Sequence, residues 1–302
     1  MSLPITALVL TFNEAIHIER CLRSIQVLTH DIIVVDCFST DTTVNVAEAL
    51  GAKVLRHEWE GNQAAQINWA LTQLPSNTEW VMRIDADEII TTDLAEKIKV
   101  CLLEIPNHVN GISFYRAMVF QGKRIRFGGV GKNLVMRLFR FGFGQSESRW
   151  MDEHIRVLGD TNHIKGLLID DNLQNLAWWM EKHRQYAARE AVDLLNLEYQ
   201  FMKTNSVEPL QNPRSKINFK RWMKENAYTK LPGGIRAWAY FVLRYIAWGG
   251  FLDGIKGSRF HYLQALWYRS LADRNVAKVK RYMKDEQVGP ETAILAILGI
   301  VV

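Results

Sequence analysis

At 302 residues and 48% hydrophobic content, the chain has room for one large or two modest cored domains, which excludes intrinsic disorder. Its 37 Lys and Arg against 32 Asp and Glu leave a net charge of +5, which favours anionic partners such as nucleotides or a phospholipid surface and is too small to argue for nucleic-acid binding. Cys21, Cys37 and Cys101 lie far apart without metal-ligand spacing, which excludes a disulfide framework and points to a reducing, cytosolic setting; the N-terminus lacks the basic start and long apolar core of a signal peptide.

Short β-rich runs alternate with helical patterns through the first third. The expected order is strand 5–10, helix 15–25, strand 32–35, helix 42–50, strand 53–55, helix 64–71, strand 80–84, helix 94–103 and strand 111–115. Such alternation argues for an α/β fold with a largely parallel sheet, whose ligands sit beyond the carboxyl ends of the strands. Three of those ends are polar: Thr11-Phe12-Asn13-Glu14, Asp36-Cys37-Phe38-Ser39-Thr40-Asp41 and Asp85-Ala86-Asp87-Glu88. Residues 114–140 interleave Gly122, Gly128, Gly129 and Gly131 with Lys123, Arg124, Arg126, Lys132 and Arg137, and read as strands and mobile loops over the sheet edge. From Leu176 the pattern turns helical and rich in aromatic and basic residues, broken at Pro209, Pro213 and Pro232-Gly233-Gly234. Segment 235–251 is apolar apart from Arg236 and Arg244; those arginines and Gly249-Gly250 argue against a membrane span, leaving an interfacial helix pair or a buried helical subdomain. The end, 293–302, is too short to span and reads as a docking or membrane-contacting tail.

The most telling stretch runs from Trp80 to Glu88, an apolar strand that ends in three carboxylates within four positions. Burying a carboxylate costs several kcal/mol unless a positive group meets it, so the cluster belongs at a strand end where a cation binds. Asp-x-Asp also has hard-metal chemistry, because Mg²⁺ and Mn²⁺ prefer oxygen ligands and share one or two carboxylates with substrate phosphates. The alternative is an acidic turn before a helix capped at Thr91-Thr92-Asp93.

These residues together resemble the inverting glycosyltransferases of family 2, which have the GT-A nucleotide-sugar fold. Four motifs carry the resemblance in order: Leu8-Val9-Leu10-Thr11-Phe12-Asn13-Glu14, then Ile32-Ile33-Val34-Val35-Asp36 with Ser39-Thr40-Asp41-Thr42-Thr43, then Ala64-Ala65-Gln66-Ile67-Asn68-Trp69-Ala70-Leu71, then Ile84-Asp85-Ala86-Asp87-Glu88. Segments 178–191 and 250–268 look like a subgroup that makes bacterial surface polysaccharides, including lipopolysaccharide-core glucosyltransferases. The resemblance implies a GT-A catalytic domain over 1–171, with a nucleotide-sugar half 1–110 and an acceptor half 111–171, followed by a helical extension over 172–302. It places Thr11 and Glu14 near base and ribose, and Asp36 where a carboxylate accepts a uracil N–H. Ser39 and Asp41 either join that site or cap the next helix. Gln66 and Asn68 either reach the donor or orient the loop before their helix.

With no Gly-rich phosphate loop, the diphosphate falls to a Mg²⁺ or Mn²⁺ ion on Asp87, with Asp85 on ribose or on a water of the ion and Glu88 supporting the turn. Lys132 and Arg137 either cover the diphosphate from a loop or form a solvated basic face. The general base is expected in Trp150-Met151-Asp152-Glu153-His154, Asp152 first and Glu153 second, with His154 orienting it or contacting the diphosphate. A Gln-x-x-Arg-Trp motif in processive register is missing, which favours a single sugar addition. Cys37 stands where many members carry a second acidic residue. The resulting expectation is a cytosolic, membrane-peripheral enzyme on the cytoplasmic face, moving one hexose from a UDP-sugar to a lipid-linked, lipopolysaccharide or exopolysaccharide acceptor. The rivals are a sugar-phosphate nucleotidyltransferase, which would carry a Gly-rich basic loop after the first strand, and a catalytically silent scaffold of a polysaccharide assembly complex.

Overall fold

The computed structural model describes residues 3–147, 154–202 and 234–302. The expected general bases Asp152 and Glu153, and the breaks at Pro209, Pro213 and Pro232-Gly233, lie outside the described residues. The chain divides into two compact units, Met1–Leu173 and Gln174–Val302.

In the first unit β1 (Ile5–Thr11), α1 (Ile18–Gln26), β2 (Ile32–Asp36), α2 (Thr43–Ala49), β3 (Lys53–Arg56), α3 (Gln63–Thr72) and β4 (Trp80–Asp85) follow the expected alternation. Then come β5 (Glu88–Ile90), α4 (Thr92–Glu104), β6 (Val109–Phe120), β7 (Lys123–Arg124), β8 (Asn133–Arg140), β9 (Gly144–Ser146), β10 (Ile155–Val157) and β11 (Asp160–Asp171). Nine strands form one sheet in the order β3-β2-β1-β4-β8-β6-β11-β5, with β7 on β6, while β9 and β10 make a separate hairpin. β1, β2, β3, β4, β6 and β11 run one way, and β5, β7 and β8 run against them. The carboxyl ends of β1, β2 and β4 therefore share one edge.

Pleating sorts the central strands into two cores. Ile5, Ala7 and Val9 of β1 pack with Ile18, Cys21, Leu22 and Ile25 of α1 and with Leu94 and Ile98 of α4. Leu8 faces the other way, with Ile33, Val35, Ile67 and Phe139. Fully burying side chains of this size contributes roughly 1.5–3 kcal/mol each, so the register of β1 is fixed from both faces.

Two differences from expectation have physical causes. α1 starts at Ile18 rather than at Ala15, because residues 13–17 are spent latching the edge. The strand expected over 111–115 is twelve residues long, and β11 beside it was not expected at all: its first three residues are exposed and its pairing with β6 is broken by two register shifts, which erases the alternation a strand normally shows.

The second unit holds α5 (Leu176–Tyr199), α6 (Ile235–Val242), α7 (Gly254–His261), α8 (Tyr268–Glu286) and α9 (Pro290–Leu298), with π-helical turns at Leu243–Ala247 and Tyr262–Trp267. Its core joins Val192 and Leu195 to Val279, Ala293 and Ile294. The end of the chain is thus not simply a docking tail: α9 buries Ala293 and Ile294 in the unit's own core, although Leu295 and Val301 stay exposed. Around 235–255 the usual polarity is inverted. Arg236 is buried against Asp273 and Arg244 against Gln264, while Ile235, Trp238, Val242 and Ile246 face outward, as do Trp248, Phe251, Leu252 and Ile255. Among the described residues no helix is long and apolar enough to cross a membrane.

Candidate active site

The loops that leave β1 and β2 are zipped together. Thr11 and Asp36 are register neighbours, and the Asp36 carboxylate accepts from the Thr11 hydroxyl at 2.9 Å, the Ser39 N–H at 2.7 Å and the Ser39 hydroxyl at 2.5 Å. Ser39 Oγ accepts from the Asn13 N–H, and Asn13, in the left-handed region at φ 55°, accepts from the Thr40 N–H. Asp41 accepts from the N–H groups of Thr43 and Ala15. Of the two readings left open for these residues, Asp41 caps the first turn of α2, whereas Ser39 is a latch between loops. Burial works to raise the Asp41 carboxyl, but the hydrogen bonds from Thr43 and Ala15 outweigh it and hold it below the ordinary range. Asp36 itself has no exposed surface, and both of its oxygens are engaged. As arranged it fixes the edge instead of offering a free carboxylate to a base.

Glu14 is likewise engaged. Its carboxylate lies 2.5 Å from His17 Nδ1, and His17 Nε2 accepts from the Leu173 N–H at 2.9 Å. A backbone N–H only donates, so the Nδ1 atom carries the proton and donates to Glu14. Gln66 is fully buried: it accepts from His57 Nδ1 and donates to the Cys37 sulfur and the Glu58 carbonyl. It therefore holds the loop before its helix rather than presenting an amide at the edge. Burial pushes the Cys37 thiol up, the Gln66 hydrogen bond opposes this and the Asp36 charge adds to it. Asn68 donates to the Ser146 carbonyl at 3.0 Å and accepts from its N–H at 2.8 Å, so it clamps β9 as a strand neighbour would. Glu147 N–H and His154 C=O then pair at 3.0 Å, bracketing the segment that carries the expected base.

The carboxylates after β4 separate into two kinds. Asp85 meets cations inside the protein: Arg83 at 2.6 Å on one oxygen and Arg137 at 2.8 Å on the other, with Gln63 of the α3 N-terminus at 3.3 Å. Arg137 also reaches Glu88 at 2.6 Å, and Arg116 lies 3.9 Å from Glu88 and 3.6 Å from Asp170. Arg137 is thus neither on a loop nor solvated; it is a 4% exposed residue of β8. Glu88 supports the turn as expected, accepting from the Asp85 N–H at 3.1 Å. Burial pushes its carboxyl well up and the Asp85 charge adds to this, against the pull of Arg116 and Arg83. Asp85, with an arginine on each oxygen, is a salt-bridged carboxylate and a poor candidate for the metal.

Asp87 sits differently. It is partly exposed, and its Oδ2 accepts from Asn172 at 3.0 Å while its carbonyl accepts from the Asp171 N–H. Among the described residues no group of three His, Cys, Asp or Glu side chains could hold an ion alone. Mg²⁺ and Mn²⁺ in general take only one or two protein carboxylates and complete their shells with substrate phosphates and water. Lys132 is exposed, its ammonium 5.6 Å from the Tyr115 ring centroid.

Sequence reasoning missed several members of the site. Arg83 was visible as a charge inside an apolar strand, but Arg116, Asp170 and Asn172 reach the corner only through pairing across the sheet. Phe12 and Phe38, 58% and 49% exposed at the ends of β1 and β2, had their signal in being large apolar residues within polar loops.

The sequence profile described as Glycosyl transferase family 2 matches residues 6–161, more than half of the chain. A protein of Rickettsia bellii described as an uncharacterized glycosyltransferase is 41% identical over 95 residues, which are 32% of this chain and 31% of that one, so the match spans less than a third of that relative's length. One from Rickettsia typhi, described likewise, is 25% identical over 294 residues and 92% of each chain. Among solved structures, a mannosyltransferase of Pyrobaculum calidifontis, in complex with GDP-Man and Mn²⁺, is 18% identical over 92% of this chain and 88% of that chain, with a TM-score of 0.49. On the extent of the profile match, this chain belongs to glycosyl transferase family 2.

Proposed function

We propose that the protein transfers a single hexose from a UDP-sugar to a lipid-linked or polysaccharide acceptor, with inversion. The observation that carries this reading is the division of labour after β4: Asp85 is neutralised by Arg83 and Arg137, while Asp87, two residues on and likewise partly exposed, has no ion-pair partner among the described residues at the edge where β1, β2 and β4 end. Asp87, together with the donor diphosphate, would hold Mg²⁺ or Mn²⁺, which supplies Lewis-acid stabilisation of the departing nucleoside diphosphate. Phe12 offers an exposed ring on which the base stacks, and the latched Thr11–Asp36–Ser39 frame holds that ring in place. The arginine-paired Asp85 keeps the strand end rigid beside the ribose. On the acceptor side Asp152, or Glu153, takes the proton of the attacking hydroxyl, and the Asn68 clamp on Ser146 steadies the strand that leads into that segment.

The outward apolar face at Ile235, Trp238, Val242 and Ile246, continued by Phe251, Leu252 and the 86% exposed Ile255, supports peripheral contact with the cytoplasmic face of a membrane, where the acceptor's lipid resides. A thermal-shift panel of nucleotide-sugars with Mn²⁺ tests the donor, because a ligand that binds only the native state raises its melting temperature. Selective stabilisation by a UDP-sugar is expected; a panel in which none stabilises the protein would overturn the reading.

A further inference from the structure

The turn after β6 and the run into β8 border an open surface cavity of about 420 Å³ lined by Arg124, Arg126, Gly129, Gly131 and Lys132. Among the described residues of this lining three side chains are cationic and none is acidic. The loop is built to a fixed shape. Gly128 and Gly129 lie in the left-handed region at φ 68° and 77°, and a Cβ on Gly131 would sit 1.9 Å from the Arg126 carbonyl oxygen, so the loop closes on itself at a point where only glycine fits. Within it, Arg124 Nε is buried and has no hydrogen-bond partner among the described residues. A buried donor left unpaired is unfavourable, and a ligand acceptor beside the half-buried Arg124 would relieve it. Lys132, seated over the Tyr115 ring, adds a positioned positive charge.

Its place in the fold separates it from the carboxylate corner. β6 overhangs the start of β8 by four residues, and there Arg124 pairs with Val119 on one side of β6 while Asp171, paired with Val119 on the other, donates its N–H to the Asp87 carbonyl, so Arg124 and Asp87 are level and about three strand spacings, roughly 14 Å, apart. Because β6 runs parallel to β4, this overhang lies on the same edge as Asp85 and Asp87. The arginines that meet the corner's carboxylates are Arg83, Arg116 and Arg137, none of them from the loop. One edge thus carries two electrostatic settings: a corner balanced internally, and a cationic loop cavity with a donor unspent.

We infer that the loop cavity binds a phosphate monoester carried by the acceptor, at a site distinct from that of the donor diphosphate. This rests on the reading of the protein as a sugar transferase. Guanidinium groups match phosphate oxygens in pairs and an ammonium adds a point charge, while the volume falls in the range of small-molecule sites, so a phosphorylated sugar fits better than a bare ion.

Calorimetry on the full chain tests the inference, with inorganic phosphate, glucose 6-phosphate and glucose as probes, each with and without saturating UDP and Mn²⁺. The two phosphates are expected to bind, glucose is not, and UDP should leave their affinity unchanged. The Arg124→Gln/Arg126→Gln double variant should weaken phosphate at least about tenfold and alter UDP affinity by less than about twofold. Vesicles containing phosphatidic acid, added as competitor, assign the monoester to a lipid if they displace glucose 6-phosphate and to a sugar if they do not. Phosphate displaced by UDP and indifferent to the double variant would show that the anion site is the donor's, overturning the inference. So would phosphates that give no binding heat at millimolar concentration. UDP failing to bind while phosphate still binds and is lost in the double variant would overturn the donor reading and leave the loop as the anion site.

Discussion

Asp85 and Asp87 are two residues apart and meet different partners, and that difference is open to mutation. Replacing Asp85 leaves Arg83 and Arg137, both nearly buried, without their shared carboxylate. Breaking a buried pair from one side is strongly destabilising, so Asp85→Asn should cost about 2–4 kcal/mol in urea unfolding. Asp87→Asn removes a partly exposed group whose side chain accepts, among the described residues, from Asn172, and should cost less than about 1 kcal/mol. A large loss for Asp87→Asn with none for Asp85→Asn would reverse the assignment. The Asp-x-Asp and its strand were legible in the sequence because an apolar run ending in carboxylates is a local signal. Which positive group satisfies each carboxylate was not, since Arg137 and Arg116 lie far along the chain and reach the corner only by sheet pairing. For the same reason Asp36, Glu14 and Gln66 were legible as edge residues while their engagement with Ser39, His17 and His57 was not.

At the scale of elements, the strands of the first third were readable from alternation, and the polar loops between them from their Ser, Thr, Asn and Asp content. β8 and β11 were not, because a half-polar strand with bulges has no clean period. The clamp between α3 and β9 gives a direct test. Asn68→Ala deletes both bonds to Ser146, which leaves the carboxylate corner after β4 intact and removes the clamp on β9, the strand before the expected base. We expect kcat to fall by roughly tenfold or more with donor KM little changed, as for a positioning residue; an equal change in both would assign Asn68 to donor binding. Gly131→Ala tests the loop, since its Cβ would collide with the Arg126 carbonyl; phosphate affinity should fall without loss of UDP binding.

At the scale of the whole chain, the second unit carries its own acid sensitivity. Burial lowers His261 to about 4, helped by the Arg244 charge and opposed by Asp253, and burial likewise lowers His183 to about 4, opposed by its bond to the Trp179 carbonyl. The unfolded chain takes up these protons near the ordinary value of 6.5, so stability is complete above that pH and is lost as pH falls toward 4, by up to about 1.4 kcal/mol per pH unit for each histidine. Hydrogen exchange in α8 should accelerate over that window, and His261→Gln should flatten the pH dependence; an unchanged slope would place the proton uptake elsewhere. A catalytic part over 1–171 and a helical extension over 172–302 were expected from the sequence, but the inward arginines and outward aromatics of 235–255 were not, because composition does not reveal which face of a helix turns inward. The proposed role of Asp87 as the chain's ligand for the donor's metal is measured by calorimetric titration of a UDP-sugar, with and without Mn²⁺, into the wild-type and Asp87→Asn proteins. The prediction is tight, Mn²⁺-dependent binding to the wild type that the Asn variant loses while its unfolding midpoint stays close to wild type. Equal, Mn²⁺-dependent affinity in both proteins would contradict it.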